Sequence, residues 1–312
     1  MACSVIEHIE ANYLSENGIV LNYKNAEYPQ YLSESLGLYM QFLLGAGDQM
    51  RFWQQVDVLL QHFSVFKGNY LFVKWELGDN TTVGALIDDL RIAWVLQEAA
   101  EKFDVEEYGK LSETILFTIK ETMIVNGRLV DFYDWHYNIT KDQFFLSYYI
   151  IEAMGSFPEY VFKPLESLVA DPFFAELYIE GEFQKASECE VNMIDQSLIA
   201  IAFYKRTGRM EPNFQAFIVN RLAEDGHIYA RYRRDTLERV SENQSSATYA
   251  FLLNYFELTG QQSQATIIRE LLLAMQTYDP QTTHFFDFIN KELAIQNGTR
   301  QQDICGTDHP MV

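Results

Sequence analysis

The sequence predicts an all-α protein that forms an (α/α)6 barrel of about twelve helices, with short β-hairpins at one rim. Two observations on its 312 residues lead to this fold. Apolar residues recur at spacings of three and four along most of the chain, which is the period of an amphipathic helix. A turn that contains glycine and is followed by a short β-like run also recurs, at nearly regular intervals.

The helical spacing covers eight segments of the chain. In order, they are 31–46, 49–66, 83–102, 106–123, 191–207, 211–223, 244–259 and 261–275. A chain with this many helical segments is mostly α. Trp53 and Trp94 fall in the middle of two of the segments, and we assign both rings to the core.

The recurring turn elements begin at Asn17, Gly68, Asn126, Glu180 and Asp225. The intervals between these first residues are 51, 58, 54 and 45 residues. A further interval of similar length ends near the aromatic run at 283–286. The spacing therefore predicts about six units of two helices each.

Six consecutive helix pairs can be arranged in two ways. A single pair cannot bury its own apolar face, so the pairs must stack as an open solenoid or close into a ring. An open solenoid needs polar capping repeats, whereas the end units here are as aromatic as the middle ones. We therefore expect a closed double ring. No linker rich in Pro, Gly or Ser divides the chain, so residues 1–312 are expected to form one domain.

The charge of the chain excludes several classes of partner. Lys and Arg total 23 against 44 Asp and Glu, and the resulting charge of −21 repels phosphate backbones and acidic lipid surfaces. Neither nucleic acid binding nor membrane contact by this domain is expected. The three cysteines and six histidines show no metal-ligand spacing, so no metal or cofactor is predicted. We expect a monomer.

Aromatic residues are in excess. The 4 Trp, 19 Tyr and 23 Phe make up 15% of the chain, which is more than one core requires. Flat rings stack on sugars, so an acidic and aromatic composition favours a carbohydrate ligand. A core rich in Tyr and Phe is the alternative, and composition leaves both interpretations open.

Two neighbouring aspartates lie on the helix predicted over 83–102. Asp89 is in register with apolar residues such as Ile92, which puts its carboxylate on the face that packs inward. Asp88 points about 100° away and can meet Arg91, three residues on. One acid of this pair is therefore expected to be buried or to face a groove.

Glu34 and Asp195 are the other two carboxylates on apolar helix faces. Asp195 shares its face with Leu198 and Ile199, and it lies in the first turn of its predicted helix. Glu34 lies beside Gly37, where a glycine lets another backbone or a ligand approach closely. Both acids also fit a simpler role, in which a first-turn carboxylate interacts favourably with the helix dipole.

The residues around Glu34 resemble a known enzyme family. The segment 33–40 (SESLGLYM), followed by Ala46-Gly47-Asp48 and Phe52, looks like the general-acid segment of glycoside hydrolase family 8. In that family a Ser-Glu-Gly-x-Gly-Tyr-Gly-Met pattern leads to Ala-Gly-Asp and Phe. The resemblance implies an (α/α)6 barrel.

Two further segments are similar to the same family. Trp75 and the segment 85–93 (ALIDDLRIA) resemble its sugar-stacking Trp and its Ala-Thr-Asp-Gly-Asp-x-Asp-Ile-Ala motif. The segment 192–196 (NMIDQ) is similar to the place where many members carry the catalytic base. The chain departs from the family at three positions: Ile87 stands where the motif begins its Asp-Gly-Asp, Ser35 follows the acid, and Leu198 stands near a common Arg. With these changes, the chain resembles a divergent branch of the family. This branch is similar to family 8-like proteins linked to bacterial exopolysaccharides and to amylose-acting enzymes.

The resemblance implies a two-carboxylate mechanism. Inverting hydrolysis needs a protonated acid beside the leaving oxygen and a carboxylate that activates water on the opposite face of the sugar. Glu34 would be the acid, because its apolar neighbours can raise its pKa, and Asp195 would be the base. Asp89, together with Asp88, would bind hydroxyls of the distorted sugar ring.

Several aromatic rings are candidate stacking platforms for a sugar. We predict Trp75 and Trp135 as the main platforms, with Tyr133 as a further substrate-binding residue and Tyr31 and Tyr137 as lesser candidates. The run at 132–137 follows a turn element, so its rings are expected to project from the barrel rim. Core packing is the alternative for each ring.

Two functions therefore remain. One is a glycoside hydrolase that cleaves a neutral or amino-sugar polysaccharide; the other is a glycan-binding relative that has lost turnover. The presence of both Glu34 and Asp195 favours the hydrolase. The resemblance implies an extracellular or cell-surface location, with an export signal or anchor outside the given sequence. A cytoplasmic location is the alternative, because the start of the chain lacks the pattern of a signal peptide.

Overall fold

The architecture is a double ring of helices. A computed structural model describes residues 2–24, 29–275 and 283–305. Within these residues there are eleven α-helices: α1 (Ala2–Asn12), α2 (Ser33–Ala46), α3 (Gln49–Val58), α4 (Leu86–Phe103), α5 (Glu106–Thr122), α6 (Lys163–Glu166), α7 (Met193–Thr207), α8 (Pro212–Asp225), α9 (Ser246–Leu258), α10 (Gln262–Ala274) and α11 (Phe285–Cys305). A π-helical turn, Leu59–Phe63, extends α3.

Short strands occupy the connections between helices. They are β1 (Ser64–Lys67), β2 (Tyr70–Val73), β3 (Val83–Ala85), β4 (Ile124–Val125), β5 (Arg128–Leu129), β6 (Phe132–Asp134), β7 (Gln143–Phe145), β8 (Leu177–Ile179), β9 (Glu182–Gln184), β10 (Glu190–Asn192) and β11 (Arg231–Arg233). All of them pair antiparallel, as β1-β2, β3-β6, β4-β5, β7-β8-β9 and β10-β11.

The inner ring closes on itself. Helix α2 packs against α4 on one side and α11 on the other, α11 packs against α9, and α9 packs against α7. Between α7 and α4, the 3-10 turns Leu146–Tyr148 and Ile151–Met154 complete the ring. The prediction of a closed (α/α)6 barrel is therefore confirmed.

The third unit departs from the regular pattern. Its inner position holds 3-10 turns instead of a full helix, and its outer position holds the four-residue α6 after a third 3-10 turn, Glu159–Phe162. Pro158 and Pro164 lie in this segment, and proline removes a backbone donor that a continuous helix requires. The eight predicted helices are found in place, but α1, α6 and α11 were not predicted.

The ends of the chain form the sixth helix pair. Helix α1 precedes the first inner helix and packs on the last one, with the rings of His8 and Phe288 5.0 Å apart. The first helix therefore serves as the outer partner of α11. This pairing of the two ends distinguishes a closed ring from an open solenoid.

All inner helices run in the same direction. The first five inner elements are each followed by an outer one after a loop of two to four residues. The strands lie in the longer connections that return from outer to inner elements between α3 and α9. The first turns of the inner helices therefore lie at the rim that carries the hairpins. Turns at Gly68, Gly127 and Gly181 form hairpins as predicted. The element at Asp225 differs, because Gly226 ends α8 in a left-handed conformation instead of turning a hairpin.

Candidate active site

Acidic side chains from distant parts of the chain meet at the rim with the hairpins. Glu34 lies in the first turn of α2, Asp88 and Asp89 in that of α4, Asp195 in that of α7 and Asp287 in that of α11. Because the inner helices are parallel, their first turns surround one opening of the barrel. A helix start also interacts favourably with negative charge.

Glu34 is held beside a buried ion pair. The Ser33 hydroxyl donates to Asp88 Oδ2 at 3.0 Å, and Arg91 Nη1 donates to Asp88 Oδ1 at 3.0 Å. Burial raises the pKa of Glu34 to about 7; the charges of Asp88 and Asp287 act in the same direction, and that of Arg91 opposes them. Glu34 therefore keeps a proton to a higher pH than an ordinary glutamate.

Asp88 and Asp89 are both buried, with exposed fractions of 6% and 4%. Asp88 pairs with Arg91 as predicted. Asp89 Oδ1 has no hydrogen-bond partner within the described part of the chain, and burial followed by the charge of Asp88 raises its pKa well above the usual range. A Cβ at Gly84 would lie 3.1 Å from Asp89 Oδ2, so the glycine leaves room for this carboxyl. Of the two aspartates, Asp88 is the one that contacts the first turn of α2, because it accepts the hydrogen bond from Ser33.

Asp195 lies between two loops at the start of α7. The Asn192 side chain caps the helix by accepting from the backbone N–H of Ile194 at 3.0 Å. Burial raises the pKa of Asp195, the Ser147 hydroxyl lowers it, Glu176 raises it and Arg231 lowers it, in decreasing order of effect. Arg231 is on β11, directly opposite Asn192 on β10.

Two residues of the third unit were missed from the sequence. The pKa of Tyr148 is raised by burial and then by the charges of four acids, namely Asp131, Asp88, Asp195 and Glu34. Asp131 accepts from the Phe145 N–H at 2.6 Å and from Gln143 Nε2 at 3.1 Å, and burial raises its pKa to about 6. Both residues lie in a segment without helical spacing, so no face could be assigned to them. The run of aromatic residues at 144–149 was the available signal.

Trp75 is partly exposed, and its backbone contacts the turn that carries Glu34. It is 40% exposed, its carbonyl accepts from the Ser33 N–H at 3.0 Å, and its own N–H donates to Val83 O at 3.1 Å. The backbone of Trp75 is therefore tied to the turn that carries Glu34.

The other rings are placed differently. The prediction that Trp135 projects from the rim is wrong, since its ring is 4% exposed and lies 5.0 Å from that of Phe72. Tyr133 is half-buried, stacks on Phe72 at 5.9 Å and donates its hydroxyl to Asn138 Oδ1 at 3.2 Å. Tyr137 is 67% exposed. The core assignment of Trp53 is also wrong, because this ring is 58% exposed.

Metal-ligand clusters and membrane-spanning helices are both absent from the described residues. No group of three or more His, Cys, Asp or Glu side chains among them could hold a metal ion. No helix in the described ranges combines the length and apolar character that a bilayer crossing requires.

The comparisons with known proteins agree with this fold. No protein-family model matches the chain. It is 43% identical to PssZ from Listeria monocytogenes, with 94% of each chain covered and a TM-score of 0.91. The chain is a glycoside hydrolase family 8-like (α/α)6-barrel protein, and it belongs to the same family as PssZ.

More distant proteins share the fold. An α-amylase from Clostridium perfringens is 18% identical, with 95% of this chain and 97% of that chain covered and a TM-score of 0.79. Endoglucanase Cel10 from Klebsiella pneumoniae, a family 8 glycosyl hydrolase, is 13% identical, with 96% and 99% covered and a TM-score of 0.65. YdaJ of Bacillus subtilis (strain 168), named as a candidate lipoprotein, is 27% identical over 296 residues, which cover 89% of this chain and 79% of YdaJ.

Proposed function

We propose that this protein is a glycoside hydrolase that cleaves a neutral or amino-sugar polysaccharide, of the bacterial exopolysaccharide or glucan type, with inversion at the anomeric carbon. Residues 1–312 would act as one catalytic domain. The observation that carries the proposal is the environment of Glu34, whose carboxyl has a pKa of about 7 and whose helical turn is hydrogen-bonded to the backbone of the partly exposed Trp75. A protonated carboxyl next to a stacking ring is what acid-assisted cleavage requires.

Glu34 is assigned as the general acid. Near neutral pH a large share of its carboxyl groups carry a proton, which can pass to the oxygen of the leaving sugar. Burial, and after it the negative charge of Asp88, raises the pKa of Glu34 and so keeps that proton in place. Asp88 is itself held by Ser33 and Arg91. An ordinary surface glutamate would have lost this proton.

Asp195 is assigned as the base that activates water. It belongs to a different inner helix from Glu34, and both carboxyls influence Tyr148. Two acids on separate sides of one opening leave room for a sugar ring and a water molecule, as inversion requires. Arg231 provides positive charge near Asp195, where Leu198 stands in place of the arginine common in family 8.

The sugar contacts are assigned to Trp75 as the stacking platform and to Asp88 as the acceptor for hydroxyls. Asp89, whose Oδ1 has no hydrogen-bond partner among the described residues, and Tyr133 would bind the sugar in the same region. Trp135 is not part of the proposal, because its ring is buried. Aromatic faces match the C–H faces of sugars, and carboxylates match their hydroxyls.

The rim favours substrates without negative charge. The acids around Tyr148 and Glu34 exceed the nearby cations, Arg91 and Arg231, and the whole chain carries −21. Uronic-acid polymers would be repelled, whereas neutral and partly deacetylated amino-sugar polymers would enter. The likeness to an α-amylase supports the glucan type, and the likeness to a protein named as a lipoprotein supports a cell-surface location.

The alternative is a glycan-binding relative with the same groove and no turnover, which the departures at Ile87, Ser35 and Leu198 favour. One assay separates the two functions. The wild-type protein is incubated with a panel of neutral, amino-sugar and uronic-acid polysaccharides, and new reducing ends are measured. The proposal predicts release from at least one neutral or amino-sugar polymer. Binding to such a polymer without any release would establish the alternative.

A further inference from the structure

A cavity lies inside the barrel, below the acidic rim. It has a volume of about 300 Å³ and is lined by all six inner elements. The lining residues come from the second turn of each inner helix and beyond, for example Gln41 of α2, Trp94 of α4 and Asn254 of α9. Neither Glu34 nor Asp195 lines it. The cavity is therefore separate from the candidate active site.

The cavity is open at the end opposite to the acidic rim. Asn254 and Asn297 line it and are solvent-exposed, and both lie towards the short loops that join inner to outer helices. Arg91 forms its inner boundary, being 7% exposed and paired with Asp88. A ligand would have to enter from the short-loop end, not from the groove.

The polar groups of the cavity wall are available for binding. Within the described part of the chain, the side-chain amides of Gln41, Asn254 and Asn297 make no hydrogen bond to protein. Asn290, 4% exposed, donates to Phe286 O at 2.8 Å. An amide offers both a donor and an acceptor, as a sugar hydroxyl does.

The charges of the wall are balanced. Lys205 is paired with Glu152, and Arg91 with Asp88. The rest of the wall includes apolar and aromatic side chains, among them Trp94. Balanced charge, free amides and an aromatic face together select an uncharged ligand that is rich in hydroxyl groups.

We propose that this cavity, which we name the lower lumen, is a second binding site for a neutral sugar of one or two rings. Its volume is near the lower limit of about 300 Å³ for small-molecule sites, so a polymer chain does not fit inside it. The site does not depend on hydrolysis at the rim, and it would exist equally in a glycan-binding protein without turnover.

The lower lumen is connected to the rim through one side chain. Arg91 lines the cavity and also binds Asp88, which accepts from Ser33 next to Glu34. A sugar that bonds to Arg91 competes with Asp88 for the guanidinium group. If the proposed hydrolysis is correct, a sugar in the lower lumen will therefore alter its rate.

The test uses the full chain and a panel of uncharged mono- and disaccharides, with glucuronic acid and glucosamine as charged controls. Binding is measured by calorimetry and by the fluorescence of the tryptophans. Asn254→Trp places a bulky ring at the exposed mouth, and Gln41→Leu removes one free amide without adding volume. Trp75→Ala is the matched control, because it changes the groove alone.

We expect at least one neutral sugar to bind the wild type with a dissociation constant in the millimolar range, about −4 kcal/mol. Asn254→Trp and Gln41→Leu should each weaken this binding at least tenfold, and Trp75→Ala should leave it within twofold. The proposal is overturned if no neutral sugar binds. It is equally overturned if Trp75→Ala abolishes binding while Gln41→Leu keeps it. Neither result bears on polysaccharide cleavage, which is measured separately.

Discussion

Replacement of Glu34 by glutamine is expected to stabilise the folded protein at alkaline pH while it removes the proposed general acid. Burial and the neighbouring acids raise the pKa of this carboxyl from 4.5 to about 7. A group whose pKa is higher in the folded than in the unfolded state makes folding less favourable once the pH exceeds both values. Glutamine retains the shape of the side chain and has no proton to lose.

The magnitude follows from the pKa of Glu34. One pH unit corresponds to about 1.4 kcal/mol, so ionisation of Glu34 in the folded protein costs about 3 kcal/mol more than in the unfolded chain. Glu34→Gln removes this cost. The gain in the free energy of unfolding, relative to the wild type, should be close to zero at pH 4, should grow between pH 4.5 and about 7, and should then be constant. For a domain of this size, roughly 2 °C per kcal/mol gives an increase in Tm of about 6 °C above pH 8.

Thermal unfolding of both proteins at pH 5, 7 and 9 measures this effect. Glu98→Gln is the matched control, since Glu98 is an exposed glutamate of α4, and its Tm should differ little from that of the wild type at each pH. If Glu34→Gln is less stable than the wild type at pH 9, ionisation of Glu34 does not destabilise the folded protein as proposed. A difference in Tm that is the same at all three pH values would also contradict this expectation.

Three further predictions concern the groove. The value of kcat/KM should fall above about pH 7, as Glu34 loses its proton. Arg231→Leu should move the acidic limb of the same profile to higher pH, because loss of the positive charge raises the pKa of Asp195. Trp75→Ala should weaken polysaccharide binding about tenfold, near 1.4 kcal/mol, through loss of the stacking face.

Each of these predictions has a control in the chain. If a variant that lacks Glu34 keeps the same alkaline limb in the pH profile of kcat/KM, the assignment of Glu34 as the general acid is contradicted. Arg233→Leu changes an exposed arginine on the same strand as Arg231 and should leave the acidic limb in place. Trp53→Ala removes an exposed ring from the outer helix α3, and equal losses of binding in the two tryptophan variants would contradict the role of Trp75.

The sequence was sufficient for the fold because the helices follow a clear period. Eight segments show the spacing of three and four, and all eight are helices. Helix α11 was missed, because its amides and aromatic residues are mixed along an inner helix that has neighbours on several sides. The 3-10 turns of the third unit have no period at all, and their place in the ring is set by contacts with α4 and α7.

The site was predictable where a residue occupies a first turn. Glu34, Asp88 and Asp195 lie at the rim because parallel inner helices begin there. Tyr148 depends on strand pairing and tertiary contacts, which no local pattern indicates. The burial of Trp135 likewise depends on Phe72, more than 60 positions earlier in the chain. Long-range contacts of this kind are decided by packing and not by local spacing.

We propose that Glu34 and Asp195 act as acid and base on one sugar. The most direct test measures reducing-end release and binding for the wild type, Glu34→Gln and Asp195→Asn on the same neutral or amino-sugar polysaccharide. We expect each substitution to lower turnover by at least about 10³-fold while the dissociation constant changes little. Each one keeps the shape of the side chain but removes its ability to transfer a proton. Near-native turnover by Asp195→Asn would contradict the assignment of Asp195 as the base and would mean that the base is another residue.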